Sequence, residues 1–201
     1  RTNPRIIYCS ISGFGNDTVY RGRPAFDTVV QATSGVMSAN AVDGMPLKAG
    51  VSACDFMGGE VALFAILAAL HRRQHSARGE FIDLSMQDVG AWMTASLWNG
   101  GFGKSADGTV VACKDGFVLI MASREVAQCV AESPDMHTMT REQVLETLAD
   151  QGIDGVPVLR VSEAAAHPLV AARKIIVKVS GFAGHDWPLL GSPMMLSKTP
   201  P

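Results

Sequence analysis

The stretch VSACDFMGGEVALFAILAAL, residues 51–70, constrains the fold of this chain more than any other part of the sequence. One carboxylate, Asp55, stands before Gly58 and Gly59, and the ten residues that end the stretch carry neither charge nor hydroxyl. With the cationic residues that follow, this pattern predicts a long apolar helix from about Phe56 to His75. The fold must therefore accommodate an apolar helix that has an acid beside its first turn.

The composition is that of a globular chain without a strong charge. The 201 residues are 47% hydrophobic, which is enough to build a core. A net charge of −2 and an isoelectric point near 6.2 give no basic field for nucleic acid or an anionic membrane surface. The longest uncharged apolar run, ten residues, is shorter than the roughly 20 that a membrane helix needs. We expect a small-molecule or protein partner, no nucleic acid and no membrane.

Cysteine and histidine positions predict reduced thiols and no metal. The four cysteines form no CxxC pair and lie in apolar segments, which is typical of a cytoplasmic protein. His71 and His75 lie four residues apart and could provide half of a metal site, but no third ligand has useful spacing. We therefore expect a cytoplasmic chain that binds no metal.

Apolar periodicity predicts alternating strands and helices, the pattern of an α/β fold. The first predicted elements are a strand over residues 5–12, a helix over 26–37 with Gly35 as its end signal, a strand over 80–86 and a helix over 87–100. A glycine-rich stretch then precedes a hairpin around the turn Lys114–Gly116. A helix that opens with a Thr140 and Gln143 capping box and a strand, helix and strand follow. This change of pattern predicts a second structural unit.

Asp55 has two interpretations that the residues alone leave open. Aspartate is a favoured helix N-cap because its carboxylate accepts an unpaired backbone N–H, so a structural role would be sufficient. The alternative is a nucleophile, since a charged carboxylate is stabilised at the positive end of a helix and can attack a carbonyl carbon. Glycine residues next to such an acid would leave room for a thioester to approach.

Four ordered segments of the chain carry a family resemblance: NPRIIYCSISGFG (3–15), RGRPAFDTVVQATSG (21–35), AGVSACDFMGGEVALFAILAALHRRQHSARGEFIDLSMQD (49–88) and GVPVLRVSEAAAHPLV (155–170). Together they resemble the class III coenzyme A transferases of the CaiB/BaiF type. This family includes formyl-CoA transferase, the carnitine and bile-acid CoA transferases, and α-methylacyl-CoA racemase.

The resemblance implies part of a Rossmann-like large domain together with a small α+β domain, in the interlocked-dimer arrangement of the family. Residues 1–103 would form the C-terminal half of the large domain and would carry the nucleophile. Residues 104–162 would form an abridged small domain, and residues 163–201 would return to the large domain. Family members are about twice as long, so a preceding N-terminal half would be supplied elsewhere. Gly100–Gly103 matches the place of a glycine loop that covers the nucleophile in the family.

The resemblance also implies the site residues. Asp55 stands where the family has its nucleophile, which attacks an acyl-CoA and then carries CoA as an aspartyl thioester. Gly58 and Gly59 would form the oxyanion and substrate loop. The residues that match CoA-binding positions, or that could meet a CoA phosphate, are Arg23, Pro24, Ala25, Phe26, Asp27 and Met86.

These assignments have structural alternatives. Phe26 could be a core aromatic, Arg21 and Arg23 could be solvated loop charges, and Met86 could be a core methionine. Phe26 also stands where the racemase of the family carries its catalytic histidine, and a phenylalanine cannot exchange a proton. The sequence therefore favours CoA transfer over racemisation.

The predicted function is acyl-CoA:carboxylate CoA transfer through an aspartyl-CoA thioester. The substrates would be an acyl-CoA and a small carboxylic acid, with coenzyme A carried between them. One alternative is a CoA-dependent racemase or isomerase of the same family. The other is a non-catalytic or split-enzyme subunit. For each of these functions the chain would form a homodimer or pair with a chain that supplies the missing half. Without a partner it would expose apolar surface.

Overall fold

The structure is a computed structural model that describes residues 3–98, 108–133, 135–181 and 184–198, apart from the side chains of Trp98 and Arg124. The chain divides into two compact units, Arg1–Lys104 and Ser105–Pro201. Gly100–Gly103 and the predicted boundary after residue 103 lie outside the described residues. The separate return segment over residues 163–201 stays a prediction.

A parallel pair of strands organises the first unit. β1 (Ile7–Ser12) and β2 (Glu80–Ser85) pair in register from Ile7 opposite Glu80 to Ser12 opposite Ser85. Parallel neighbours require a crossover, and the long helix α3 (Ala53–Ser76) lies within it. The other elements of this unit are α1 (Asp27–Thr33), α2 (Val36–Ala39), α4 (Met86–Met93) and α5 (Ala95–Trp98).

The predicted long helix is confirmed, but its ends differ from those expected. α3 begins at Ala53, after the N-cap residue Ser52, so the N-cap interpretation of Asp55 is wrong. The helix ends at Ser76, one residue beyond the predicted end, and its C-cap residue Ala77 adopts a left-handed conformation with φ of 57°. Asp55 is therefore a first-turn residue whose carboxylate is not needed as the cap.

Gly35, the predicted end signal of the first helix, has φ of 93° and separates α1 from α2. The predicted helix over 87–100 is broken into two. Thr94 separates α4 from α5, and its hydroxyl donates to the Ala91 carbonyl at 2.9 Å. Such side-chain bonds to a preceding carbonyl compete with the regular helix.

The second unit contains an antiparallel three-stranded sheet. β3 (Thr109–Cys113) and β4 (Gly116–Met121) form the predicted hairpin, and β5 (Asp154–Val158) pairs with β4. α6 (Arg124–Ala131) and α7 (Arg141–Asp150) pack against it around a buried apolar cluster. The capping box at the start of α7 is confirmed.

The last described segment contains one break and one strand that periodicity does not predict. α8 (Val161–Ala166) and α9 (Pro168–Arg173) are separate helices, because Pro168 forces His167 into an extended conformation and then begins a new helix. β6 (Ile176–Ser180) and β7 (Asp186–Leu190) form an antiparallel pair. β7 contains Pro188, which conceals its strand character in the sequence.

Glu163 joins the start of α8 to the start of α7 in the second unit. Its carboxylate accepts from the Arg141 guanidinium at 2.9 and 3.2 Å and from the Arg160 guanidinium at 2.8 Å. These hydrogen bonds, that from Arg141 first, hold the pKa of Glu163 far below its ordinary value of 4.5. A carboxyl group with a lowered pKa stabilises the fold above its unfolded pKa, and this stabilisation is lost as the pH falls towards the folded pKa.

We therefore expect Glu163→Gln to lower the thermal midpoint at pH 7, because a neutral glutamine cannot form charge-assisted hydrogen bonds with the two arginines. The difference from the parent chain should shrink steadily as the pH falls below about 4.5, the ordinary pKa of glutamate. Glu146→Gln is the matched control, since Glu146 is exposed on α7. Thermal unfolding from pH 7 to pH 3 measures this, and a difference independent of pH would contradict it.

Much apolar surface of the first unit is exposed. Tyr8 of β1 and Phe81 of β2 stack at 5.7 Å between ring centroids, yet both rings are exposed. Phe56, Phe64 and Leu67 of α3 are exposed as well. Parallel sheets are usually covered on both faces, so a two-stranded parallel sheet with exposed aromatics has an uncovered face.

α3 is the one helix, within the described part of the chain, whose length and composition would allow it to cross a membrane. Core helices meet the same criterion, although only 22% of the most apolar 18-residue window of α3 is buried within the chain. The apolar part of α3 is longer than the ten-residue uncharged run at 61–70. Gly58, Gly59 and Glu60 precede that run without ending the apolar window. The expected absence of a membrane span stays a prediction.

Candidate active site

The predicted site residues converge at the carboxyl edge of the β1–β2 pair. Gly13, in the loop after β1, packs closely against Ala25. A Cβ added to Gly13 would lie only 2.4 Å from the Ala25 Cβ. The Gln87 N–H, at the start of α4, donates to the Gly13 carbonyl at 2.9 Å. In open α/β sheets, ligands bind outside the carboxyl ends of the strands, so this edge is the candidate site.

The Asp55 carboxylate is exposed and has no bonding partner among the described residues. No hydrogen bond or ion pair from the described residues reaches either of its oxygens. Its backbone N–H also has no acceptor among those residues, whereas the N–H groups of Ala53, Cys54 and Phe56 are all bonded. The start of α3 therefore presents an unpaired carboxylate and an unpaired N–H on the same residue.

A buried polar network holds the start of α3. Asp27, only 4% exposed, accepts from the Cys54 N–H at 2.9 Å and from the Gln31 side-chain amide at 2.6 Å. Gln31, 0% exposed, also donates to the Val51 carbonyl at 3.2 Å and accepts from the Ala49 N–H at 2.9 Å. The first turn of α1 is thereby joined to the first turn of α3.

The other residues predicted to contact CoA lie beside this network with different exposures. Phe26 is 81% exposed and Pro24 is exposed, whereas Ala25 is half-buried. The Arg23 guanidinium lies 4.9 Å from the Tyr20 ring centroid and 5.9 Å from that of Phe14. Stacking on two rings orients this cation while its donors stay available to an anion.

Gly58 and Gly59 are helical residues, and their description as loop residues is wrong. Both lie in the second turn of α3, where an interior N–H donates to the carbonyl four residues before it. They do not supply free oxyanion donors in this structure. A Cβ on Gly58 would contact Met86 at 3.4 Å, whereas a Cβ on Gly59 would meet nothing within 4 Å. Gly59 therefore leaves open space one helical turn beyond Asp55.

Met86 belongs to the support of the site. It is half-buried at the start of α4 and packs against the buried cluster of Val30, Val36 and Cys54. This contact matches the alternative of a core methionine, and a direct contact of Met86 with CoA stays a prediction.

Cys54 is adjacent to the candidate nucleophile but is not a rival to it. Burial and the nearby Asp27 carboxylate raise the pKa of the Cys54 thiol. A thiol with a raised pKa stays protonated at neutral pH and is a poor nucleophile. The acid is the available nucleophile at the start of this helix.

Gln31 and the Cys54 backbone are the parts of the site that sequence reasoning missed. Asp27 and Gln31 lie four residues apart, so they share one face of α1, and Val30 on that helix is also buried. Two polar residues on a buried helical face were an available signal, because buried polar groups need partners. No group of three or more metal-ligating side chains occurs in the described ranges of the chain.

Comparisons with known proteins show which family the chain resembles. The model of a family described as CoA-transferase family III matches residues 1–132. A succinate–glutarate CoA-transferase from Agrobacterium fabrum is 27% identical over 98% of this chain and 61% of its own length. An acetyl-CoA:oxalate CoA-transferase from Acetobacter aceti is 43% identical over 44% of this chain and 23% of its own length.

Solved structures share the fold. A CaiB/BaiF family protein from Brucella suis has a TM-score of 0.78 at 23% identity and covers 98% of this chain and 63% of its own. The protein Rv3272 from Mycobacterium tuberculosis has a TM-score of 0.81 at 19% identity, covering 98% and 65%. The α/β fold prediction and the family resemblance are confirmed. The chain spans about three fifths of the length of the first of these relatives.

Proposed function

Because the chain belongs to CoA-transferase family III, we propose that it carries the nucleophilic part of an acyl-CoA:carboxylate CoA-transferase, with Asp55 as the nucleophile. The observation that carries this proposal is the exposed Asp55 carboxylate, which has no partner among the described residues. It lies in the first turn of α3, where the helix dipole favours negative charge. A residue kept only for structure would be expected to bond its own chain.

The proposed reaction consists of four acyl transfers at three carbonyl carbons, those of the donor acyl group, of Asp55 and of the acceptor acid. An Asp55 oxygen attacks the thioester carbon, the carbon–sulfur bond breaks, and a mixed anhydride and CoA thiolate are formed. The thiolate attacks the Asp55 carboxyl carbon, releasing the donor acid and leaving an aspartyl-CoA thioester. The acceptor carboxylate attacks that thioester and again releases CoA thiolate. The thiolate then attacks the acceptor acyl carbon, which gives the new acyl-CoA and restores Asp55 without net proton transfer.

The CoA contacts follow from what each residue offers. The exposed Phe26 ring and Pro24 provide apolar surface for the pantetheine arm. Arg23, oriented by its two aromatic neighbours, provides donors to a phosphate. Ala25 provides backbone next to Phe26, and Met86 contributes apolar surface at the start of α4. The Asp27 carboxylate is buried and already bonded, so any CoA contact at this position would use its backbone.

The acids named for the two relatives guide the choice of substrates. Succinate, glutarate and oxalate are small dicarboxylates, and we propose this class for the acceptor, with a small acyl group such as succinyl or acetyl on the donor. Racemisation is disfavoured because Phe26 has no proton to exchange where the racemases of the family carry histidine. No described feature of the site favours racemisation.

A partner is part of the proposal. The exposed Tyr8 and Phe81 rings and the exposed face of α3 support a second chain that covers this surface. We propose a cytoplasmic assembly, either a dimer of this chain or a pair with a chain that supplies the remaining part of the fold. A non-catalytic subunit would have the same exposed surface, but it would have no need of a free carboxylate at the site edge.

Gly59 provides a specific prediction for substrate approach. We expect Gly59→Ala to leave the thermal midpoint unchanged or raised, because alanine favours a helix by about 1 kcal/mol over glycine and meets no neighbour within 4 Å. The same substitution should lower kcat/KM at least about tenfold, since its methyl group occupies the space that the thioester needs. Steady-state kinetics beside thermal unfolding measures both quantities. Full activity in this variant would contradict a substrate role for Gly59.

The function itself is tested by following acyl-CoA products. The chain, alone and together with any chain that co-purifies with it, is incubated with succinyl-CoA and glutarate or with acetyl-CoA and oxalate. Chromatography of the acyl-CoA pool should reveal glutaryl-CoA or oxalyl-CoA. If the chain is a non-catalytic subunit, it should bind CoA and form no new acyl-CoA. Exchange of deuterium at the α-carbon of a 2-methylacyl-CoA, without transfer, would favour the racemase instead.

A further inference from the structure

We propose that Asp27 and Gln31 act as positioning residues that hold the start of α3 so that Asp55 faces the substrate. These two side chains are named here the Asp27–Gln31 clamp. The inference rests on the proposed function of Asp55 and gives Asp27 a role other than CoA contact. Its basis is the set of hydrogen bonds that the clamp makes to the backbone before Asp55.

The clamp fixes the approach to α3 at three backbone groups. Gln31 bonds the Ala49 N–H and the Val51 carbonyl, and Asp27 bonds the Cys54 N–H. These bonds join residues 18 to 27 positions apart in sequence, so they are tertiary contacts rather than local turns. The segment before Asp55 is therefore held to α1 and not only to its own helix.

The clamp also determines which groups at the helix start stay free. Helix starts leave unpaired N–H groups, and those of Ala53 and Phe56 find carbonyl acceptors nearby. Asp27 takes the N–H of Cys54, one residue before the nucleophile. Asp55 is then left with an unpaired carboxylate and does not need to cap its own helix.

The use of a charged residue in the clamp needs an explanation. Burying a carboxylate is unfavourable unless it is well bonded, and a serine or asparagine could cap a helix without that penalty. In the clamp, one oxygen of Asp27 serves Cys54 and the other serves Gln31, with the Lys48 ammonium 3.9 Å away. Two acceptors and no donor are required of residue 27, and only a carboxylate meets this requirement.

The hydrogen-bond pattern suggests a double-mutant test. Asp27→Asn would oppose its new amide group to that of Gln31, donor against donor. Gln31→Glu would oppose two carboxylates. Asp27→Asn combined with Gln31→Glu restores a donor–acceptor pair between the two side chains and retains acceptors for Ala49 and Cys54, so only the Val51 carbonyl loses its donor. The three variants and the parent chain form a cycle in which a clamp predicts mutual rescue.

The kinetic readout separates positioning from CoA contact. Using the chain with any co-purifying partner and the acyl-CoA assay above, we expect each single variant to lower kcat about 10- to 100-fold, since small misplacements of reacting groups cost this much. KM for the acyl-CoA should stay within about threefold, because the buried carboxylate does not meet CoA. The double variant should recover at least about tenfold of the lost kcat.

Hydrogen exchange provides a readout that does not need activity. The amides of residues 49–54 should exchange faster in both single variants and return towards the parent rate in the double variant, while amides in the middle of α3 stay unchanged. A raised KM with unchanged kcat would overturn the proposal in favour of CoA contact. Single variants with parent kcat and parent exchange would also overturn it, while the proposed function would stand. If the parent chain transfers no CoA, the proposed function fails, and exchange still decides whether the clamp holds this segment.

Discussion

Asp55→Asn is expected to abolish CoA transfer, with a loss in kcat of at least roughly 1,000-fold, because the amide cannot form the anhydride. The thermal midpoint and the affinity for CoA should change little, since no described residue bonds this carboxylate. Glu60→Gln is the matched control, because it removes another exposed charge from α3. The kcat of acyl-CoA transfer and the dissociation constant of CoA are measured for both variants.

Two results would contradict this expectation. Asp55→Asn with more than about a tenth of the parent kcat would exclude covalent catalysis by Asp55, because losing a nucleophile costs far more. Equal losses in Asp55→Asn and Glu60→Gln would indicate a general effect of charge on α3 rather than a nucleophile.

Gly79→Ala is expected to produce the largest loss of stability in the first unit. A Cβ at this position would lie 1.7 Å from the Ile6 carbonyl oxygen and 2.5 Å from its carbon. These atoms belong to the backbone that leads into β1, so the two strands would have to separate. We expect the free energy of unfolding to fall by about 3 kcal/mol or more, as for overpacked sites.

Gly50→Ala is the control for that substitution. Gly50 is exposed and has no positive φ, and an added Cβ would meet nothing within 4 Å. Replacing glycine at such a position should change stability by less than about 1 kcal/mol. Urea denaturation of both variants, followed by circular dichroism, measures the difference. A Gly79→Ala midpoint equal to that of Gly50→Ala would show that the close approach of Ile6 is not required.

The sequence was sufficient for the main elements of the fold because their signals are local. Periodicity predicted β1, α3 and the hairpin of the second unit, and spacing alone predicted the capping box of α7. Gly35 was recognised as a helix end, but the breaks at Thr94 and Pro168 were not, because each depends on one residue in an otherwise continuous pattern. The strand β7 was missed because proline opposes strand formation except at an edge.

Some features of the candidate site have a local signal in the sequence, and others depend on tertiary contacts. Asp55 could be identified from a local pattern and from the resemblance of its neighbours. Its free state could not be predicted, because aspartate is also a good N-cap. The structure shows that Asp27 and Gln31, from a different helix, bond the segment before Asp55. The spacing of Asp27 and Gln31 indicates a polar face on α1, but it does not identify the distant segment that these side chains bond.

The central claim is that CoA becomes covalently attached to Asp55, and trapping that adduct tests it most directly. The chain, with any co-purifying partner, is incubated with acyl-CoA and quenched with hydroxylamine or borohydride, and its peptides are examined by mass spectrometry. We expect a hydroxamate, or an alcohol from reduction, on the peptide that contains Asp55 and nowhere else. Modification of another residue, or an unmodified Asp55 in a preparation that transfers CoA, would contradict covalent catalysis by Asp55.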